Sequence, residues 1–341
     1  MTESQYAAAG VDLSQADLAK AEISRLVAGT RTPLSVGHVG AFGGMLRVPP
    51  GMQSPVLVMS TDGVGTKVLV AQQAARYDTV GEDLVNHSVN DILVHGATPI
   101  AFMDYIAGHR LPVEMIAGVV AGIARGCRTH GMALTGGETA AMPGLYAEHT
   151  FDLAGTIIGV VEEDEALHGD RIGPGDAILA YASTGLHTNG YTLARHVLLD
   201  RMGLALEATL PGTATSVVDA LLAVHRSYVD AIRPVLGQIH GLAHITGGGI
   251  AGNLVRILPE SCEAVLDPRS WQWPTLFTVI ANGGDVSLDE MRAVFNLGVG
   301  MVAVLPARAV ESARNAANSA GVTSWVLGTI RSGRQRVSFA D

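Results

Sequence analysis

The chain has 341 residues, 48 % hydrophobic and 16 % charged, which fills large apolar cores and excludes a disordered polypeptide. The formal net charge is −10 and RSGRQR near the C-terminus is the longest basic run, so a nucleic-acid binder with a basic face is excluded. That length suggests two domains, and any phosphate site must be built locally against an acidic background. Aromatics make up only 5 %, so the cores rest on Val, Leu, Ile and Ala. Many of the 41 glycines are clustered, as where backbone approaches a turn, a ligand or a strand. Cys127 and Cys262 are too few and too far apart for a disulfide framework and read as buried, reduced thiols. The N-terminus lacks the basic and apolar regions of a signal peptide. No apolar stretch of about 18 residues could span a bilayer. A cytoplasmic protein without membrane contact is expected.

In chain order, residues 12–29 read as a helix, with Leu18, Ile23, Leu26 and Val27 apolar and Gly29 as the stop. A glycine-rich stretch follows at 36–44. PVLVM (55–59) reads as a buried strand entering the turn STDGVGTK (60–67). Residues 80–95 read as an amphipathic helix with Leu84, Val85, Val89, Ile92 and Leu93 on one stripe. Asp83, His87, Asn90 and Asp91 fall on the opposite stripe. PIAFMDY (99–105) is a strand, and Pro112 opens a helix that closes at Gly131. MALTGGET (132–139) is a strand running into a glycine turn, and FDLAGTIIGVV (151–161) is another strand. The charged, turn-rich stretch 162–176 marks a boundary between domains 1–168 and 169–341. Beyond it come the strand AILAYAS, the loop STGLHTNGY, a helix from Thr192 and a helix over 214–236. LAHIT is a strand, GGGIAGN a turn, LVRIL a helix and CEAVLD a strand. Two helices around 274–295, a strand GVGMVAVLPA, a helix over 307–320 and two last strands complete the chain. Both halves mix strands and helices, so the fold class is α/β of the α+β type, in two domains.

Five segments carry residues suited to chemistry. In STDGVGTK a strand delivers Asp62 to a turn whose glycines leave backbone N–H groups open, and Lys67 adds a mobile positive charge. This is no Walker A loop, because the spacing is absent and Val68 follows the lysine. An ordinary strand-to-helix turn reads equally well. Asn90 and Asp91 with His87 suit a hard-metal site, or a solvated helix face. In TGGETAAMPG (135–144), Glu138 sits in a glycine turn after a strand, where it faces a ligand or starts a capping box. His187, Thr188 and Asn189 stand in a strand-to-helix loop whose donors suit a phosphate, or form a plain Asn-Gly turn. In HITGGGIAGN (244–253), Gly247, Gly249 and Gly252 satisfy GxGxxG, and Asp267 follows at dinucleotide-fingerprint spacing. His244 and Thr246 put polar groups where that strand is usually apolar, and the motif lies deep in the second domain.

Taken in order, STDGVGTK, VNDILVHGATPIAFMDY, GGETAAMPG, STGLHTNGYTLAR, HITGGGIAGN and FNLGVGM resemble the phosphoribosylformylglycinamidine cyclo-ligase (aminoimidazole ribonucleotide synthetase) family of purine biosynthesis. YAAAGVD near the start, the glycine stretch 36–44 and SWQWP (270–274) extend the resemblance over nearly the whole chain. Four places depart from the pattern: Leu186 for a proline, Ala141 for an acid, Asn86-His87-Ser88, and Ile250-Ala251-Gly252.

The resemblance implies an N-terminal ATP-binding and dimerisation domain whose sheet pairs with that of a second copy into a shared β-barrel. It implies a C-terminal mixed-sheet domain that binds substrate. The implied reaction is ATP-dependent closure of formylglycinamidine ribonucleotide to 5-aminoimidazole ribonucleotide, forming a C–N bond. On that basis Asp62, Asp91 and Glu138 are expected to hold Mg²⁺. Gly63, Gly65, Thr66, Lys67, Asn90, Gly136 and Gly137 are expected around ATP. His187, Thr188, Asn189, Thr246, Gly247, Gly248 and Gly249 are expected on the substrate. Asp62 and Lys67 are expected in catalysis, with His244 as a proton acceptor or as a structural cap of its strand. Three other readings stand beside this one: a nicotinamide-dependent oxidoreductase, a non-catalytic nucleotide-binding module, and a small-molecule kinase on the same fold.

Overall fold

A computed structural model of the chain describes residues 22–37 and 42–340. Of the helix expected over 12–29, the described part at 22–28 is helical. YAAAGVD and the centre of the glycine stretch lie outside the described residues. The rest divides into two compact units, one of residues up to Val89 with Thr98–Glu162, the other of Asn90–Ala97 with residues from Glu163 onward.

The first unit holds a short pair, β1 (Ser35–Val36) with β2 (Met45–Leu46), and a four-stranded sheet. The sheet is built from β3 (Pro55–Gly63), β4 (Thr98–Gly108), β5 (Ala133–Ala141) and β6 (Phe151–Glu162), in the order β3-β6-β4-β5. β4 and β5 run parallel and the other pairs antiparallel. A parallel pair needs a crossover, and the helix Val113–Thr129 supplies it. Its buried stripe of Met115, Ile116, Val119, Val120 and Ile123 follows the helical period. Gly122 lets the start of the helix Asp78–Leu93 come close, since a Cβ there would lie 2.0 Å from the Asp78 carbonyl oxygen.

Three expectations change here. β3 was read as buried, yet it is an edge strand with Val56, Leu57 and Met59 exposed. An apolar run reports burial without saying in what. Glu138 was placed in a turn, yet β5 continues through Gly136, Gly137 and Glu138 to Ala141. Ladder pairing with β4 carries the strand across glycines that propensity alone assigns to a turn. The polar stripe of Asp83, His87 and Asn90 is as buried as the apolar stripe beside it.

The second unit centres on a six-stranded sheet of β7 (Asp176–Ala182), β8 (Gly241–His244), β9 (Cys262–Leu266), β10 (Val299–Pro306), β11 (Ser324–Ser332) and β12 (Arg336–Phe339). The order is β12-β9-β11-β7-β10-β8, antiparallel except for β12 on β9. Ile178, Ala180, Val302, Val304, Leu266 and Leu327 form its core. The single helix expected over 214–236 is instead two short helices, Val217–Leu221 and Val229–Ile232, with a 3₁₀ turn after the second. The non-helical stretch between them carries His225 into the interior. Gly249 opens the helix Gly249–Leu254 where a plain turn was expected. This topology excludes the dinucleotide fingerprint. The strands flanking GGGIAGN are β8, on one edge, and β9, next to the opposite edge, so they form no adjacent parallel pair. Asp267 caps the turn Pro268–Ser270 by accepting from the Arg269 N–H.

Candidate functional site

In the first unit the candidates gather at one end of the sheet. Asp62 is the penultimate residue of β3 and stands opposite Gly155 of β6. Gly155 stands opposite Asp104 of β4, and Asp104 opposite Gly137 of β5. Directly paired residues share a face, so Asp62 and Asp104 lie in one row with a glycine between them. The row tolerates no extra atom beside Asp104, because a Cβ on Gly137 would fall 2.5 Å from Asp104 Oδ1. The Asp62 carboxylate accepts from the Gly63 N–H at 2.6 Å and lies 2.7 Å from His87 Nε2. Glu138, one residue past the row, pairs with Tyr105 and is exposed, with Oε1 accepting from the Thr139 N–H at 3.0 Å. By strand alternation its side chain leaves the face opposite to Asp104. Gly136 opens on free space, and Gly65 holds a positive φ of 56° in the turn after β3.

Lys67 differs from the expected mobile cation. It is fully buried, and its Nζ lies 2.7 Å from Asp83 Oδ2, also fully buried. Burial pushes the ammonium pKa down, against the pull of the Asp83 charge. The pair ties the start of the helix Lys67–Ala74 to the helix Asp78–Leu93. Loss of one partner would strand a buried charge, at a cost of about 3–5 kcal/mol.

In the second unit the candidates meet around β8 and the loop after β7. His187, in that loop, adopts a φ of +62° and stacks on His225 at 3.9 Å between ring centroids. His225 Nε2 lies 3.0 Å from His244 Nε2, and its Nδ1 lies 3.4 Å from Thr188 Oγ1. His244 Nδ1 lies 2.8 Å from Asp91 Oδ1. The Asn90 amide reaches His225 Nε2 at 3.2 Å, the Arg226 carbonyl at 2.8 Å and the Tyr228 N–H at 3.0 Å. Asn90 is thereby committed to protein groups.

The loop after β8 is fixed by two asparagines. Asn253 Nδ2 donates to the carbonyls of Thr246, Gly247 and Gly249, and its Oδ1 accepts from Thr246 Oγ1. Asn189 Oδ1 accepts from the Gly247 N–H at 3.0 Å, while its Nδ2 is a buried donor with no hydrogen-bond partner among the described residues. Gly248 and Gly249 hold φ of +95° and +63°, and a Cβ on Gly249 would lie 1.9 Å from the Arg292 carbonyl oxygen. The loop is thus rigid and glycine-dependent, and it keeps one side-chain donor in reserve.

Comparison with known proteins decides the family. Residues 43–161 match the family described as AIR synthase related protein, N-terminal domain, and 173–340 match the corresponding C-terminal domain. The phosphoribosylformylglycinamidine cyclo-ligase of Thermosynechococcus vestitus is 47 % identical over 335 residues, covering 97 % of this chain and 98 % of that one. The one from Myxococcus xanthus is 48 % identical over 332 residues, covering 96 % of each. The chain belongs to the phosphoribosylformylglycinamidine cyclo-ligase family. Solved structures share the fold of this cyclo-ligase family member at lower identity. A thiamine-monophosphate kinase from Stenotrophomonas maltophilia aligns with TM-score 0.63 and 20 % identity, covering 92 % of this chain and 94 % of its own. The hydrogenase maturation protein HypE of E. coli aligns with TM-score 0.66 and 15 % identity, covering 94 % of each.

Against this family background, four side chains near the sites were not singled out by sequence. Asp83 was read as part of a polar stripe, His225 lay inside an expected helix, and Asn253 was seen only as a letter of its motif. Asp104 was part of VNDILVHGATPIAFMDY, but nothing in a strand sequence marks one residue as facing a carboxylate row. Burial pushes the Asp104 carboxyl up to about 7. A raised carboxyl pKa means that the folded state favours the protonated form. The stability from this site is fully present below the unfolded pKa near 3.8 and is lost as pH rises through about 7. Asp104→Asn should therefore stabilise the protein at pH 8 by on the order of 2 kcal/mol, with no gain near pH 3.5. Urea unfolding at the two pH values measures the difference.

Proposed function

We propose that this chain is the ATP-dependent cyclo-ligase that converts formylglycinamidine ribonucleotide to 5-aminoimidazole ribonucleotide, ADP and phosphate. The observation that carries this reading is full-length identity of 44–48 % to curated cyclo-ligases. The chemistry explains the need for ATP. Ring closure requires a nitrogen to attack the formyl carbon and expel its oxygen, and hydroxide is a poor leaving group. Transfer of the γ-phosphoryl group to that oxygen makes the leaving group phosphate. The ribosyl-bearing nitrogen then forms the C–N bond, phosphate departs and a proton is lost. Such a transfer asks the protein for positioning and charge neutralisation.

The first domain, 1–168, is our candidate for the ATP-binding and dimerisation part, and 169–341 for the substrate-binding part. Asp62 offers a hard oxygen donor at an open sheet end, which fits a magnesium ion, whereas Glu138, three strands away on the opposite face, is not assigned to the same ion. When bound, that ion neutralises the triphosphate and polarises the bond to be broken. The backbone of Gly63, Gly65, Thr66, Gly136 and Gly137 lies beside these carboxylates and can approach phosphate oxygens closely. Lys67 acts through its buried pair with Asp83, holding the turn after β3 in shape. Asp91 has one oxygen engaged by His244, and Asn90 braces the 226–228 backbone, so both are assigned to supporting the site. His187, Thr188, Asn189 and the Thr246–Gly249 loop are the substrate-binding set, and the Asn189 Nδ2 donor is suited to a phosphate or formyl oxygen.

A second copy of the chain is the partner we propose. Leu57 and Met59, exposed on one face of the edge strand β3, are suited to pairing of sheets into a shared barrel, and Val56, Met45 and Val48 are also exposed. A cytoplasmic location goes with this reaction, and among the described residues no helix is long and apolar enough to cross a membrane.

Asp62→Asn should lower phosphate release and aminoimidazole formation at least 100-fold while leaving the unfolding midpoint within a few degrees. Parallel assays of both products with a thermal melt check this, and near-normal turnover would remove Asp62 from the site. Wild-type protein should sediment as a dimer, and Met59→Glu should shift it toward monomer in sedimentation velocity. A wild-type monomer at micromolar concentration would exclude the barrel pairing.

A further inference from the structure

Asn90 fixes the direction of a chain of hydrogen bonds in the second unit. Its Oδ1 faces the Tyr228 N–H at 3.0 Å, a group that can only donate. Its Nδ2 therefore faces the Arg226 carbonyl at 2.8 Å and His225 Nε2 at 3.2 Å, and donates to both. His225 Nε2 is then a lone-pair acceptor, and the ring's proton sits on Nδ1, toward Thr188 Oγ1 at 3.4 Å. His244 Nε2 lies 3.0 Å from His225 Nε2, and one hydrogen must lie between them. His225 has none to give there, so His244 supplies it, and the single Nε2 lone pair of His225 is shared between the Asn90 and His244 donors. The 2.8 Å contact of His244 Nδ1 with Asp91 Oδ1 also contains a hydrogen. In this arrangement His244 offers no lone pair at either nitrogen.

We propose that His225 is the positioning residue of this site. It takes the acceptor role at Nε2, which removes His244 from the role of proton acceptor. It donates from Nδ1 toward Thr188 Oγ1, which fixes the rotation of a side chain in the proposed substrate-binding set. Stacking on His187 at 3.9 Å, with 23° between the planes, holds the His225 ring in register. The substrate part of this proposal rests on the reading of the reaction given above; the direction of the relay does not. A metal ion bound by His187, His225 and His244, whose ligand atoms lie within 4.8 Å of one another, is the competing use of the cluster. The geometry disfavours it. Near-parallel stacked rings do not aim two lone pairs at one point, and His225 Nε2 already accepts from Asn90.

Two measurements on the full-length protein test this. Side-chain ¹⁵N–¹H NMR of the histidines should show His225 as the neutral Nδ1–H tautomer and His244 with hydrogen at Nε2. His225 carrying its hydrogen on Nε2 would overturn the proposal. In steady-state kinetics, His225→Phe keeps a stacking ring but loses acceptor and donor, and kcat should fall about tenfold or more with KM for ATP unchanged. His225→Gln restores an acceptor oxygen and should recover most of that loss. Equal loss in both variants, or none in His225→Phe, would reduce His225 to packing and sink the idea. If His225→Phe fails to fold, the NMR result and His225→Gln decide. Stoichiometric Co²⁺ binding with visible absorption bands, lost in His225→Gln, would replace the relay by a metal site. The expected tautomers in a protein that does not form the aminoimidazole would leave the relay standing and remove the reaction.

Discussion

Much of the second unit's chemistry depends on one asparagine amide that cannot turn over. Asn90 sits on the last turn of the helix Asp78–Leu93 and satisfies the backbone at Arg226 and Tyr228, in a segment with no helix of its own to satisfy it. Buried backbone groups must be paired, so this contact is a structural necessity before it is anything else. Once the amide is oriented, each following donor and acceptor is assigned in turn, through His225 to Thr188 on one side and to His244 and Asp91 on the other. A device that closes a break between two short helices thus also sets hydrogen positions at a candidate binding site.

The first unit solves a different problem with the same economy. Lys67 and Asp83 bury opposite charges against each other, which fixes the turn after β3 and leaves Asp62 at the open end of the sheet. Glycines at 155 and 137 clear the row in which Asp62 and Asp104 lie. The cost is a carboxyl at 104 that burial holds toward its protonated form.

Long elements were legible because period and punctuation agreed. The helix opened by Pro112, the strands at 99–105 and 151–161, and the strand at 299–306 follow from apolar spacing and bounding turns. The order of the glycine motifs carried the family. Failures came where tertiary structure overrides local preference. Glycines at 136 and 137 are held in a strand by their parallel neighbour, and an expected long helix breaks to deliver His225 inward. Lys67 looked like a mobile charge because sequence does not show that Asp83, sixteen positions on, would meet it in the interior. Asp104 and His225 owe their importance to partners distant in the chain, and a single sequence names no such partners. GxGxxG after β8 shows the converse hazard, a sound local motif in a sheet whose strand order gives it no dinucleotide site.

The central claim is that the γ-phosphoryl group goes to the formyl oxygen before the ring closes. Its most direct test is isotopic. Formylglycinamidine ribonucleotide carrying ¹⁸O in the formyl group would be turned over once with ATP and Mg²⁺, and the released phosphate analysed by mass. One ¹⁸O in each phosphate, with aminoimidazole formed in equal amount, is the expected result. Label appearing in water, with unlabelled phosphate, would contradict phosphorylation of that oxygen and separate ATP hydrolysis from ring closure.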